Sequence, residues 1–144
     1  MRGRTSAAAA ALALAFAGVG LSVAPAAAAC VPNGSAVPSG ATVTCTGTDT
    51  TGVGNATQSN VTVNVLPGAA IVLGDNMNII SLLNFNSVNN NGALVAGNAS
   101  ATAGSVFGII GGSSNTIVNN GSITPGNASA GFAGSVVGIT ATNS

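Results

Sequence analysis

The sequence has almost no charge, and several residue types are missing from it altogether. Its 144 residues include two arginines and two aspartates but no lysine, glutamate, histidine, tryptophan or tyrosine. Both arginines lie within the first four residues, so a chain without its leader carries a net charge of about −2. Binding to nucleic acid or to an anionic membrane surface requires clustered lysine and arginine. The composition therefore argues against both partners.

The missing residue types also leave little material for catalysis. Asp49 and Asp75 are the only acidic residues, and no histidine, lysine or glutamate is present to assist them. No serine has a histidine partner, and the dense acidic repeats of calcium-binding β-rolls are missing. We therefore predict a non-enzymatic protein with no catalytic, cofactor-binding or metal-binding residue. The two aspartates are predicted to be turn residues.

The amino terminus has the pattern of a secretory signal peptide. A short basic region is followed by an apolar region over 7–23 and then by an alanine-rich stretch after Pro25. We predict a helical signal peptide over 1–29 that is cleaved after Ala29, and hence export. The competing interpretation is a permanent membrane helix, which the weakly apolar alanines and Pro25 disfavour.

Two cysteines, Cys30 and Cys45, directly follow the predicted leader. Export would place them in an oxidising compartment, and a period-2 strand around Val43 would bring Cys45 back beside Cys30. We predict a structural disulfide between them, worth about 3 kcal/mol in the chain-entropy model, in an N-terminal capping segment over 30–58. The alternative is lipidation of Cys30, although Ala27 stands where lipoprotein signals usually carry leucine.

A repeat organises the second half of the chain. Residues 91–109 read NGALVAGNASATAGSVFGI, and residues 120–139 read NGSITPGNASAGFAGSVVGI. The two copies keep a constant spacing up to the shared GNAS motif, and a one-residue insertion then shifts the shared GSV motif. A period of roughly 20–50 residues predicts a solenoid, in which each unit buries its apolar face against its neighbours.

Short apolar islands among Gly, Asn and Ser predict strands, since Gly and Asn are poor helix formers. Residues 61–65, 70–73 and 79–85 are the first of these islands, whereas 46–58 is predicted to be a turn-rich lead-in without periodicity. With three strands per unit, we predict an all-β parallel β-helix of about three to four coils in residues 59–144. The predicted coils span residues 61–86, 87–115 and 116–144.

In a parallel β-helix, equivalent residues of successive coils stack at the ordinary strand spacing of about 4.7–4.9 Å. Apolar residues should form ladders inside, and asparagines should stack at turns with their amides hydrogen-bonded along the ladder. The predicted pairs are Val106 with Val136, Ile109 with Ile139, Ile117 with Val88, and Asn91 with Asn120.

The segments VNNNGAL at 88–94 and VNNGSI at 118–123 carry a family resemblance. With the leader and the cysteine pair, they resemble the passenger domain of Gram-negative autotransporters, over roughly residues 30–144. The resemblance implies a right-handed parallel β-helix that passes through the periplasm to the cell surface or the exterior. It also implies adhesion to a host surface or to other cells, and a C-terminal outer-membrane barrel. No barrel pattern occurs in this sequence, so membrane contact is expected only through a segment beyond it.

The predicted function is therefore a non-catalytic, secreted or cell-surface β-helical module of the adhesin type. The alternative is a fragment of a secreted carbohydrate-active β-helix enzyme whose catalytic residues lie outside this sequence. The last predicted coil ends at Ser144 without a capping pattern. This predicts either an incomplete coil region or edge-to-edge self-association.

Overall fold

The computed structural model describes residues 29–100, 105–128 and 136–141. All regular secondary structure in these residues is β-strand, and no helix occurs among them. The prediction of an all-β protein is therefore confirmed for the described part of the chain. The predicted signal peptide over 1–29 lies, apart from Ala29, outside the described residues.

Twelve strands are present in the described residues, and most have two to four residues because Gly, Asn and Ser interrupt the apolar runs. They are β1 (Cys30–Val31), β2 (Thr42–Cys45), β3 (Thr48–Asp49), β4 (Thr62–Val65), β5 (Ala70–Val72), β6 (Ile80–Ser81), β7 (Ser87–Asn90), β8 (Ala93–Val95), β9 (Val106–Gly111), β10 (Thr116–Asn119), β11 (Ser122–Thr124) and β12 (Val136–Ala141).

The strands form three sheets. Sheet 1 has the order β1-β2-β4-β7-β10, sheet 2 the order β3-β5-β8-β11, and sheet 3 the order β6-β9-β12. Every pair is parallel except β1 with β2, which is antiparallel. From β4 onward the chain visits sheet 1, sheet 2 and sheet 3 in that order, three times over. One such passage is called a round below, and the shorter passage through β2, β3 and the Val53 bridge is the first round.

Apolar side chains from successive rounds stack on one another in the interior. In sheet 1, buried and more exposed residues alternate along each of β2, β4 and β7, so every second side chain points inward. The register pairs Val106 with Val136, Ile109 with Ile139, and Ile117 with Val88, as predicted, whereas the side chain of Ile139 is exposed. The main buried members of the core are Val43, Val63 and Val88 from sheet 1, Ile71 and Leu94 from sheet 2, and Ile80 and Ile109 from sheet 3.

Successive rounds differ in length. In sheet 1 the same register position is occupied in turn by Thr42, Thr62, Ser87 and Thr116, so each round is longer than the one before it. Amides that bond across sheet 1 are 25 residues apart in the earlier part of the stack and 29 residues apart in the later part. The repeat is visible in the sequence only between the last two rounds. The earlier rounds pair in the same way but lie outside any constant period.

The segment 46–58 was predicted to be a turn-rich lead-in without periodicity; it is rich in turns, but it also contains a strand and a bridge that were not predicted. Its Thr48–Asp49 strand pairs in parallel with β5, and Val53 forms parallel bridges to two neighbouring segments. Gly52 and Gly54 both have positive φ, at 76° and 78°. Tight turns at these two glycines leave too few residues for the alternation that marks a strand in a sequence.

The predicted capping segment, residues 30–58, shares its sheets with the rest of the chain. Strand β2 lies between β1 and β4 in sheet 1, and β1 occupies the edge in the antiparallel direction. An antiparallel edge strand changes the hydrogen-bonding pattern that a further parallel strand would need. The division into separate units at 30–58 and 59–144 stays a prediction.

The apolar run 79–85 was predicted to be one strand, yet only Ile80–Ser81 belongs to β6. The backbone turns soon afterwards, since Phe85 has a φ of 57° and its side chain is 62% exposed. The N–H of Leu82 bonds to the following round, and that of Leu83 bonds to the preceding one. A short apolar run suits a strand and a corner of this kind equally well, so the sequence pattern alone did not separate them.

Asparagine side chains join neighbouring rounds at the corners. Asn115 Oδ1 accepts a hydrogen bond from the N–H of Asn86 at 2.8 Å, and Asn86 Oδ1 accepts one from the N–H of Val61 at 2.9 Å. Asn84 Oδ1 accepts a bond from the N–H of Ser113 at 2.7 Å. Because each bond spans 25 or 29 residues, the amide satisfies a backbone donor that belongs to another round.

A second group of amides lies where sheet 1 leads into sheet 2. Asn90 is completely buried. Its Nδ2 donates to two oxygens of the following round, Asn119 Oδ1 at 2.7 Å and the backbone oxygen of Ser122 at 3.2 Å. Its Oδ1 accepts the N–H of Gly92 at 3.2 Å. Beside it, Asn120 Nδ2 donates to Asn91 Oδ1 at 3.1 Å. The predicted stacking of these last two asparagines is confirmed.

Glycines at equivalent positions allow the backbones of neighbouring rounds to approach closely. A Cβ on Gly92 would lie 2.8 Å from the Leu66 carbonyl oxygen and nearer still to that of Ala69. A Cβ on Gly121, its counterpart one round later, would collide with the carbonyl oxygen of Gly92. The glycine of each Asn-Gly pair is therefore required because neighbouring backbones leave no room for a side chain, and the pair is also typical of a turn.

Replacing Gly92 by alanine should destabilise the protein. We expect Gly92→Ala to lower the free energy of unfolding by about 1–3 kcal/mol, because the added methyl group forces neighbouring backbones apart. The matched control is Gly74→Ala, since a Cβ at Gly74 would have no atom within 4 Å. Urea unfolding of both variants measures the difference, and equal losses of stability would contradict the steric role.

Removing the buried side-chain amide of Asn90 should lower the free energy of unfolding more than removing the partly buried amide of Asn89. Asn90→Ala leaves the N–H of Gly92 and the backbone oxygen of Ser122 without this partner, so we expect a loss of roughly 2–4 kcal/mol. Asn89 has one side-chain bond, a 3.0 Å contact from its Nδ2 to Asn64 Oδ1, and is only partly buried. Asn89→Ala should cost less than about 1 kcal/mol. Chemical denaturation of the two variants side by side tests the ranking.

Candidate functional site

The two acidic residues lie in different surroundings. Asp49 is buried in β3, whereas Asp75 is exposed in the turn that follows β5. Asp75 Oδ1 accepts the N–H of Asn98 at 2.7 Å, and Asn98 Oδ1 accepts the N–H of Asn127 at 2.8 Å. Asp75 therefore occupies the position that asparagine holds in the next round. Among residues 29–100, 105–128 and 136–141, no three histidine, cysteine, aspartate or glutamate side chains come together as metal ligands.

The Asp49 carboxylate organises a tight turn from inside the protein. Its Oδ1 accepts the N–H of Thr51 at 2.7 Å, the N–H of Gly52 at 2.9 Å and the Thr51 hydroxyl at 2.9 Å. Its Oδ2 is buried without a hydrogen-bond partner, and the side chain is 1% exposed. No lysine, arginine or histidine occurs in the described ranges to pair with it. In the register of sheet 2 it stands beside Ile71, where the other rounds have apolar residues.

Asp49 was predicted to be a turn residue, and it does hold a turn, but its burial was missed. The available signal is local: a threonine two positions later and a glycine three positions later are typical of an Asx turn. The inward direction depends on the parallel pairing with β5, which lies in the next round. No pattern within the segment indicates that pairing.

The disulfide between Cys30 and Cys45 is present. The S–S distance is 2.06 Å, and both residues are at most 1% exposed. They face each other in the antiparallel register of β1 and β2, with Val31 opposite Thr44. The predicted bond is confirmed, and it is consistent with an exported protein. The bonded sulfur of Cys30 is not free for lipidation.

The outer face of sheet 1 is an uncharged array of small polar side chains. One outward ladder contains Thr42, Thr62, Ser87 and Thr116, and the other contains Thr44, Asn64, Asn89 and Val118. The 3.0 Å bond between the Asn89 and Asn64 amides shows that the array also holds rounds together. It has no acid, base or activated nucleophile, so it offers a surface and no chemistry.

An interior space of about 10 Å³ lies between the rounds of β7 and β10, lined by two asparagines and several apolar residues. This volume is at the lower limit for a single water molecule. It is a packing defect near the Asn86 and Asn115 amides and has no room for a larger molecule.

A larger cavity opens on the outside of the first rounds, next to sheet 3. Its volume is about 450 Å³, within the range of small-molecule sites. Its wall combines hydroxyl and amide groups with apolar atoms, among them one thioether. We call it the polar cavity; its wall includes Ser35, Thr51, Asn55, Met77, Asn78 and Ser81.

The polar cavity was not predicted from the sequence. Its wall comes from three segments, near residues 35, 51–56 and 77–81, which the pairing of Val53 with Gly34 and Ile80 brings together. Each segment resembles the other polar turns of the chain. No signal in the sequence separates these residues from the many structural serines and asparagines.

Comparison with known proteins gives no match: no protein-family model, no curated protein sequence and no solved structure matches this chain. Within the described residues, no helix has the length and apolar character needed to cross a membrane.

Substitutions at Asp49 should separate the role of its oxygen from that of its charge. Asp49→Ala leaves the N–H groups of Thr51 and Gly52 without an acceptor, so we expect a loss of about 2–4 kcal/mol in the free energy of unfolding. Asp49→Asn keeps Oδ1 as the acceptor and removes a buried charge, so its loss should be smaller by at least about 1 kcal/mol. Urea unfolding at neutral pH measures both, and equal losses would show that the charge itself is required.

Proposed function

We propose that the three sheets are the faces of a right-handed parallel β-helix in which each round is one coil. The strand order supports this arrangement, because each passage of the chain adds one parallel strand to each sheet in turn. Crossover connections between parallel strands of one sheet are nearly always right-handed. The resulting coils lengthen along the chain and have a common interior.

We further propose that this protein is a non-catalytic, exported structural module, comparable to the passenger domains of autotransporters. The observation that carries the proposal is the stack of nearly uncharged rounds, in which corner side chains are bonded to the next round. These amides stabilise the stack, and no described residues assemble an acid-base pair. The buried disulfide supports export, since such bonds persist in oxidising compartments.

A role in adhesion fits the character of the surface. The faces carry hydroxyl, amide and scattered apolar groups, with Asp75 as the exposed acidic residue of the described part. Leu83 and Phe85 are 40% and 62% exposed at the corner after β6. An uncharged surface of this kind makes contacts through hydrogen bonds and apolar area, which salt screens little.

Export should be detectable in the producing cells. Antibodies raised against the protein should label intact cells or detect it in the medium, and mass spectrometry without reduction should find the Cys30–Cys45 bond. The control is a variant without residues 2–29, which should stay in the cytoplasm with reduced thiols.

Retention of the full chain in the cytoplasm with free thiols would overturn the proposed localisation. A crystal structure tests the architecture separately. Coils that wind left-handed, or an interior in which Val43, Val63 and Val88 do not stack, would overturn the β-helix.

A further inference from the structure

We infer that the polar cavity is a binding site for an uncharged carbohydrate. This inference rests on the proposed role in adhesion and makes that role more specific, because adhesion needs a specific contact on the outer surface. The cavity has a volume of about 450 Å³. That volume suits one or two sugar rings.

Two amides are held in place at the wall of the cavity. Asn78 Oδ1 accepts the N–H of Phe107 at 2.9 Å, and because a backbone N–H can only donate, this bond fixes which way the amide points. Asn55 Oδ1 accepts the Thr57 hydroxyl at 2.5 Å. Neither Nδ2 group donates a hydrogen bond to another described residue, so Asn78 offers an oriented donor and Asn55 a second amide group.

Hydroxyl groups complete the polar part of the wall. The hydroxyls of Ser35 and Ser81 make no side-chain hydrogen bond within the described residues, and both residues line the cavity. A hydroxyl can donate and accept at once, as each sugar hydroxyl also can. Together with the two amides, these groups match a ligand that presents several hydroxyls on one side.

The shape of the cavity also fits a sugar ring. A Cβ on Gly54 would collide with the carbonyl oxygen of Ser81, so this part of the wall cannot carry a side chain. Met77 is 44% exposed and presents a flexible apolar thioether, which can cover the C–H face of a ring. Ala56, with a φ of 64°, holds an uncommon left-handed backbone at the rim, which points to a defined rim shape.

The absence of charge at the wall selects the class of ligand. Phosphate, sulfate and carboxylate groups are bound most strongly by cationic partners, and no lysine, arginine or histidine lines the cavity. A divalent cation requires carboxylates, and none lines it either. A neutral, hydroxyl-rich molecule satisfies the exposed donors and acceptors without leaving a charge unpaired.

A printed array of neutral, sialylated and sulfated glycans tests the inference with the purified protein. We expect retention on neutral glycans and none on the charged ones. For the neutral glycan that binds best, the double variant Ser35→Ala/Asn55→Ala should raise the Kd by about fivefold or more, measured by titration calorimetry. Thr116→Ala, on the outer face of sheet 1, is the matched control and should leave the Kd unchanged.

Three outcomes would overturn the inference: binding to no neutral glycan, binding only to charged glycans, or a Kd that the double variant does not change. Circular dichroism of each variant shows whether its fold is intact. If the double variant unfolds, Met77→Ala takes its place in the same titration.

Surface labelling together with a glycan array that shows no binding would overturn this inference and leave the proposed export intact. Glycan binding by a protein that stays in the cytoplasm would overturn the proposed export and leave this inference intact.

Discussion

Register between neighbouring rounds is the constraint on which the rest of the structure depends. Parallel strands in sheet 1 align position by position from β2 to β10, so each residue lies beside its counterpart about 4.7–4.9 Å away. At that distance like charges repel and bulky corner residues collide. The low charge of the chain and the paired glycines at Gly92 and Gly121 are consequences of this one condition.

Asparagine suits the condition because one side chain both donates and accepts. Asn90 bonds forward to Asn119 and within its own turn to Gly92, so a buried polar group is satisfied without charge. Asp49 is the contrasting case. Its Oδ1 accepts hydrogen bonds only within its own turn, and its Oδ2 is buried without a partner. It lies in β3 at the edge of sheet 2, where it has one neighbouring strand in place of two.

Sequence reasoning succeeded where two rounds share a recognisable repeat. The pairing of Val106 with Val136 and the contact between Asn91 and Asn120 follow from that repeat, and the structure contains both. It missed the Thr48–Asp49 strand within residues 46–58, because a shorter round shares no period with the others. It also failed at Phe85, where the chain turns a corner, since hydrophobicity does not distinguish an inward strand from a bend.

The sequence by itself determined the class of structure. A chain rich in Gly, Asn and Thr and almost without charge favours short strands over helices, and Cys30 with Cys45 has a single possible pairing. Only the tertiary structure decided that Asp49 is buried and that Ser35, Asn55 and Asn78 share one cavity. The physical reason is that these contacts join different rounds. Turns of variable length set which residues meet, and turn length leaves no periodic mark in a sequence.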